Sequence, residues 1–233
     1  MIGDGLSHVS FGALSIAVVL GVTPLRFSLP IVVVVAVILL RVGNGKLKSD
    51  AAIAVVSSSS LGIGVTVTAL TTGMTIDICN YMFGSLLAMS KEDVTLSVIL
   101  SIIVLFTFVL CYNRIFAITF DENFAKASGI NVSAYNMLIA VLTAVTIVLG
   151  MRMMGSMLIS SLIIFPALTS MRLFGSFKRV IISSAVISLI CFMIGIVFSY
   201  QYSTPTGASI MLANLIMFII STGIERFRGR RKS

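Results

Sequence analysis

VTLSVILSIIVLFTFVLCY, residues 94–112, is a run of 19 residues without a charged side chain. A helix of that length rises about 28 Å, close to the ~30 Å hydrocarbon thickness of a bilayer. The stretch reads as a transmembrane helix, and similar stretches flank it. Upstream lie 4–21, 29–42 (LPIVVVVAVILLRV) and 51–70 (AAIAVVSSSSLGIGVTVTAL). Downstream lie 135–150, 155–171, 180–200 and 206–223. The pattern predicts an all-α, polytopic transmembrane bundle of about eight spans. Between the third and fourth spans, MTIDICNYMFGSLLAMS (74–90) is too polar and too short to cross, so a re-entrant or interfacial segment is expected there.

Composition points the same way. Of 233 residues, 58% are hydrophobic and 10% charged, where a soluble domain carries about 25% charged residues. Mean hydropathy is +1.14. Most loops are short, so a single transmembrane domain over 1–233 is expected, with no soluble second domain.

Basic residues set the orientation. With eight crossings, alternate loops collect Arg41, Lys46, Lys48, Arg114, Lys126, Arg172, Lys178, Arg179 and the tail Arg226, Arg228, Arg230, Arg231 and Lys232. The opposite loops hold Arg26, Lys91 and Arg152. Thirteen against three places the first set, and with it both termini, in the cytoplasm. The net charge of +8 follows from topology, and the tail RFRGRRKS reads as a positive-inside anchor, not a nucleic-acid patch.

Several chemistries are excluded. GNGK at 43–46 lacks the upstream glycine of a phosphate-binding loop, and neither HExxH nor GxSxG occurs. Cys79, Cys111 and Cys191 form no CxxC and read as small packing residues. The one histidine, His8, cannot build a histidine-rich cage alone.

His8 stands four residues after Asp4, on the same face of any helix holding both. Two readings are open. Asp4 can be a first-turn acid at a helix start, with His8 as its neighbour. Alternatively, a carboxylate and an imidazole one turn apart can share a divalent cation such as Zn²⁺, Mn²⁺ or Fe²⁺.

The loop 113–134, NRIFAITFDENFAKASGINVSA, suggests a short amphipathic helix carrying Phe120, Phe124, Ala125 and Ala127, ended by Gly129. Asp121 and Glu122 fall at its acid-favouring start. Such a helix can dock into a protein groove or lie on lipid headgroups. Pro166 is expected to break the sixth span, and Pro205-Thr206-Gly207 to form a turn before the eighth.

Five stretches, in order, resemble the membrane permease subunits of bacterial ABC importers for zinc, manganese and iron. IGDGLSH (2–8) is similar to the family's G-D-x-x-S-H helix opening, and DICNYMFGSLLAMS (77–90) to its D-x-x-x-Y-x-F-G-S-x-L segment. FAKASGINVSAYN (124–136) resembles its coupling segment A-x-x-x-G-x-x-V. GSMLISSLIIFPALTSM (155–171) resembles its proline-bearing helix, and TPTGASIML (204–212) its L-P-T-G-A-x-I-x-L stretch, with Thr204 in place of leucine.

The resemblance implies an importer of two permeases and two ATPases fed by an external metal-binding protein. It maps the metal pathway onto Asp4 and His8, and contact with the ATPase onto Asp121, Glu122, Phe124, Ala125 and Gly129. Pro166, Pro205 and Gly207 would shape the pathway. The chain would be a transport subunit with no permanent cofactor and no ATPase of its own, working as a homodimer in the bacterial cell (inner) membrane among lipid. Family members carry a further helix ahead of G-D-x-x-S-H, so the chain is expected to lack the family's first helix. A permease for metal chelates such as siderophores would leave Asp4 and His8 without a task. A secondary carrier would need more intramembrane acids than Asp4 and Asp77. An inactive truncated remnant is the third alternative.

Overall fold

The computed structural model describes residues 2–43, 49–72 and 91–230. Among these residues the regular elements are α-helices: α1 (Ile2–Val19), α2 (Pro24–Gly43), α3 (Ser49–Thr72), α4 (Lys91–Phe120), α5 (Glu122–Ala127), α6 (Val132–Met154), α7 (Ser156–Leu173), α8 (Phe177–Tyr202) and α9 (Thr206–Arg230). Seven are long and apolar enough to cross a membrane, and α7 holds the shorter apolar stretch Leu158–Leu173. Each of the expected spans therefore falls on one helix. The segment 74–90, with Asp77, Cys79 and Ser85, lies outside the described residues.

Two boundaries move for physical reasons. The second span starts at Pro24, because proline's fixed φ and missing N–H suit a first helical position. The fourth helix does not stop at Tyr112 but continues to Phe120. Residues 113–120, expected in a loop, thus extend a helix of 30 residues, about 45 Å long. The apolar pattern ended at the bilayer edge while the backbone hydrogen bonds simply carried on.

The described residues fall into two compact units, α1 to α6 as far as Met153 and α7 to α9 from Met154 on. In the first, 61% of the spanning window of α1 is buried, against 6% for α4. The helix at the core is therefore α1, and α4 presents its apolar length outward. Lipid tails are as apolar as leucine, so α1 is not held by hydrophobic transfer; close van der Waals packing has to do it.

Glycine makes that packing possible. A Cβ on Gly12 would lie 2.7 Å from the Ser60 carbonyl oxygen, and one on Gly64 would lie 2.7 Å from the Phe11 ring. About two turns earlier, a Cβ on Gly5 would meet Ile53 at 2.6 Å. Residues 5 and 12 face 53 and 60 in rising order, so α1 and α3 run parallel, as two helices separated by one intervening span must. Several hydroxyls within the spans turn back onto their own helix: Ser15 donates to the Phe11 carbonyl at 2.9 Å, Thr68 to Gly64 at 2.8 Å, and Thr143 to Ile139 at 2.7 Å. Bonded in this way, the serines and threonines can sit among apolar residues.

The second unit repeats the device. A Cβ on Gly195 of α8 would come within 2.5 Å of the Ile210 Cα on α9. At the other end of α9, Arg172 of α7 donates to Thr222 at 2.9 Å and meets Glu225 at 3.3 Å, with its guanidinium 4.7 Å from the Phe218 ring centre.

Gly12→Val is expected to lower the unfolding midpoint of the detergent-solubilised chain. Overpacking of this kind costs about 1–3 kcal/mol. Gly62→Ala on the open face of the same helix pair, where a Cβ meets nothing within 4 Å, should leave the midpoint near wild type. Thermal unfolding of the two variants checks the contrast.

Candidate functional site

Asp4 occupies the first turn of α1 and is half-buried. The Ser7 hydroxyl donates to the Asp4 carbonyl at 2.7 Å and fastens that turn. One turn on, His8 is half-buried on the face that Asp4 shares. Its Nδ1 is shielded from solvent and has no hydrogen-bond partner among the described residues. Ser10, two residues further and wholly buried, has an Oγ in the same condition. Leaving a buried polar atom unpaired costs about 1–3 kcal/mol, so native structures rarely do so without a reason. Two residues on along a helix, Ser10 faces away from His8 and is not part of the Asp4–His8 pair. No cluster of three or more histidine, cysteine, aspartate or glutamate side chains gathers among the described residues. A closed structural metal centre is thus not built from them; what they offer is one oxygen and one nitrogen donor on a buried helix.

The short helix expected in the cytoplasmic loop is α5, and its ends are fastened by side chains and glycine. Asp121 is its N-cap, not a first-turn residue, and its Oδ1 accepts from the Phe124 N–H at 3.0 Å. Glu122 does lie in the first turn and pairs with Lys126 at 2.7 Å. At the far end the Ile130 N–H reaches the Ala125 carbonyl at 3.0 Å and the Gly129 N–H reaches Lys126 at 3.1 Å. That closure needs a left-handed residue, which Gly129 supplies at φ 79°. The next helix starts at once, with Asn131 Oδ1 accepting from the Ala134 N–H at 3.2 Å.

One face of α5 is anchored. Ala125 is fully buried and clusters with Ile118 and Val132, with Ile130 and Tyr135 packed alongside. Tyr135 also accepts a hydrogen bond from Arg114. The other face is apolar and open: Phe124 is 66% exposed, and Phe120 just before the helix is 83% exposed. Solvated surfaces seldom present two such rings together.

Pro166 does not break its span. The helix α7 continues through it, with the proline ring fully buried; neighbouring helices accommodate such a residue where water is absent. Pro205 does precede a helix, which begins at Thr206, and Gly207 is buried. The turn is stapled: Ser199 donates to the Thr204 carbonyl at 2.6 Å, and the Thr204 and Ser209 hydroxyls lie 2.8 Å apart. Gly155, directly before α7, has φ 85° and ψ 165°, a conformation essentially reserved for glycine. It is the first residue of the GSML stretch, and was not singled out as a site from sequence.

A family model described as the ABC 3 transport family matches residues 1–225. The chain is 33% identical over 152 residues to a high-affinity zinc uptake system membrane protein, ZnuB, of Buchnera aphidicola, covering 65% of this chain and 58% of that protein. It is 30% identical to ZnuB of Haemophilus influenzae with the same coverage. The chain thus spans a little under three-fifths of these relatives' length. Among solved structures, PsaBC from Streptococcus pneumoniae in complex with Fab superposes with a TM-score of 0.81 at 28% identity, covering 94% of this chain and 79% of that one.

Asp121→Ala removes the cap of α5 and should cost about 1 kcal/mol locally. Gly129→Ala meets no neighbour but must hold a left-handed φ, for about 1–2 kcal/mol. Faster amide hydrogen exchange over 122–130 in both variants, with unchanged exchange in α1, is the expected result.

Proposed function

Because this chain belongs to the ABC 3 transport family, we propose that it is the membrane-spanning permease subunit of an ATP-driven importer of divalent transition-metal cations. The cation is the substrate, not a resident cofactor, and ATP is hydrolysed on a separate cytoplasmic subunit. The observation that carries this reading is the unpartnered, buried Nδ1 of His8 one turn from Asp4. Imidazole and carboxylate together suit zinc, manganese or ferrous iron. Two donors leave most of the coordination sphere open, which suits an ion that must leave again; a full set of four would hold it. A second copy of the chain, in a homodimer, would bring a second Asp4–His8 pair to the same pathway. An external metal-binding protein delivers the ion.

Coupling to ATP runs through α5. With both termini cytoplasmic, this helix lies on the inner side, offering Phe120 and Phe124 to a groove of the ATPase. The Asp121 cap and the Gly129 closure hold those rings in place while Ala125 roots the helix. Rocking of the ATPase pair then pulls on α4 and α6, between which α5 is strung. The setting is the inner membrane of a bacterial cell.

Uptake of radioactive zinc and manganese by cells carrying the partner genes tests the reading. Asp4→Ala and His8→Ala should each bring ATP-dependent uptake near background, with the protein still inserted. Gly129→Trp should leave insertion intact and uncouple uptake from ATP. Normal uptake in either alanine variant would return Asp4 and His8 to the role of an ordinary helix start.

A further inference from the structure

The few basic residues on the side opposite the cytoplasmic set are Arg26, Lys91 and Arg152. They lie far apart in sequence, at the start of α2, the start of α4 and the end of α6. The structure brings them to one place. Two adjoining cavities, of about 660 and 270 Å³, share Arg26, Glu92 and Leu96. Lys91 lines the larger and Arg152 the smaller. Among the described lining residues Arg26 and Lys91 stand beside Glu92 at the larger opening, on the face that the positive-inside bias otherwise keeps free of positive charge.

Below this rim the wall is apolar. Leu96, Ile99 and Leu100 line the larger cavity at the spacing of one helix face. From Lys91 to Leu100 the helix axis descends about 14 Å, well into the hydrocarbon region. Ile99 is 53% exposed, and α4 as a whole is the least buried of the spans. Cations at headgroup level above an open, apolar face of α4 match an amphiphile standing upright in the outer leaflet. A docked acidic protein would use the rim but would leave the apolar face below it uncovered.

We propose that this cleft is a binding site for one anionic phospholipid. Its phosphate sits between Arg26 and Lys91, and an acyl chain lies along Leu96, Ile99 and Leu100. Glu92 disfavours a second anion and limits the site to one headgroup. The lipid ties α4, exposed along most of its length, to the start of α2.

The test is native mass spectrometry and thermal unfolding of the full chain in neutral detergent. The probes are phosphatidylglycerol, phosphatidylcholine, inorganic phosphate and an acidic peptide. Phosphatidylglycerol should be retained at one copy per chain and raise the unfolding midpoint, while the other three should do neither. Arg26→Gln with Lys91→Gln should weaken its retention by about tenfold or more, since each cation near an anionic headgroup contributes substantially. Glu92→Gln should keep or strengthen retention, which separates loss of the site from loss of the fold. Equal retention of phosphatidylcholine, or unchanged retention in the double variant, would overturn the proposal. So would protection by the acidic peptide, which would make the rim a protein-docking surface, or by inorganic phosphate alone, which would remove the apolar face of α4 from the site. Should the double variant fail to fold, the comparison of the two lipids on the wild-type chain still decides.

Discussion

The close parallel contact of α1 with α3 is the constraint on which the first unit depends. In lipid no solvent expels α1 into the core, so its burial has to come from surface fit. Fit at backbone distance is available only where side chains vanish, and Gly12 and Gly64 vanish at the same level. That contact fixes the rotation of α1 about its own axis, and with it the direction in which Asp4 and His8 face. The candidate cation site thus follows from helix packing: His8, whose Nδ1 has no partner among the described residues, is placed by contacts made further along α1.

The short helix α5 is built on the opposite logic. It is six residues long, far too short to be stable by itself, and it sits outside the apolar stretches. Local devices hold it: an aspartate cap, a glycine closure, an asparagine starting the next helix, and a single buried alanine. This leaves its aromatic face unspent. The coupling role proposed for α5 would be served by an element that is rigid at both ends and adhesive in the middle.

The proposed lipid cleft joins these two themes. The long helix α4 carries the root of α5 at its far end, yet little protein covers it along the bilayer. A lipid anchored to Arg26 and Lys91 would brace the helix at the end away from α5, so that movement at one end is resisted at the other. Charge here acts twice: counted along the chain it orients the protein, and gathered in space it makes a site.

Much of this was legible in the sequence. Apolar runs of spanning length are decided by transfer from water to lipid, a property of each segment alone, so all the expected spans fall on helices. The Asp4–His8 spacing and the Asp121-to-Gly129 signals are likewise local, readable because helix geometry and capping depend on neighbours in the chain. Helix ends beyond the bilayer were not legible, since α4 runs on to Phe120 by hydrogen bonding that hydropathy does not report. Nor was the fate of Pro166, whose tolerance depends on what surrounds it. Membrane class, helices and candidate donors could be read from the chain alone, because each follows from composition or from spacing within one segment. It took the packed molecule to show that α1 is the buried helix of its unit, that His8 Nδ1 has no partner among the described residues, and that Arg26 and Lys91 line one cavity. Those are facts about which helices touch, and in a bilayer, where nearly every helix is apolar all round, the sequence pattern carries little record of which face is turned toward which neighbour.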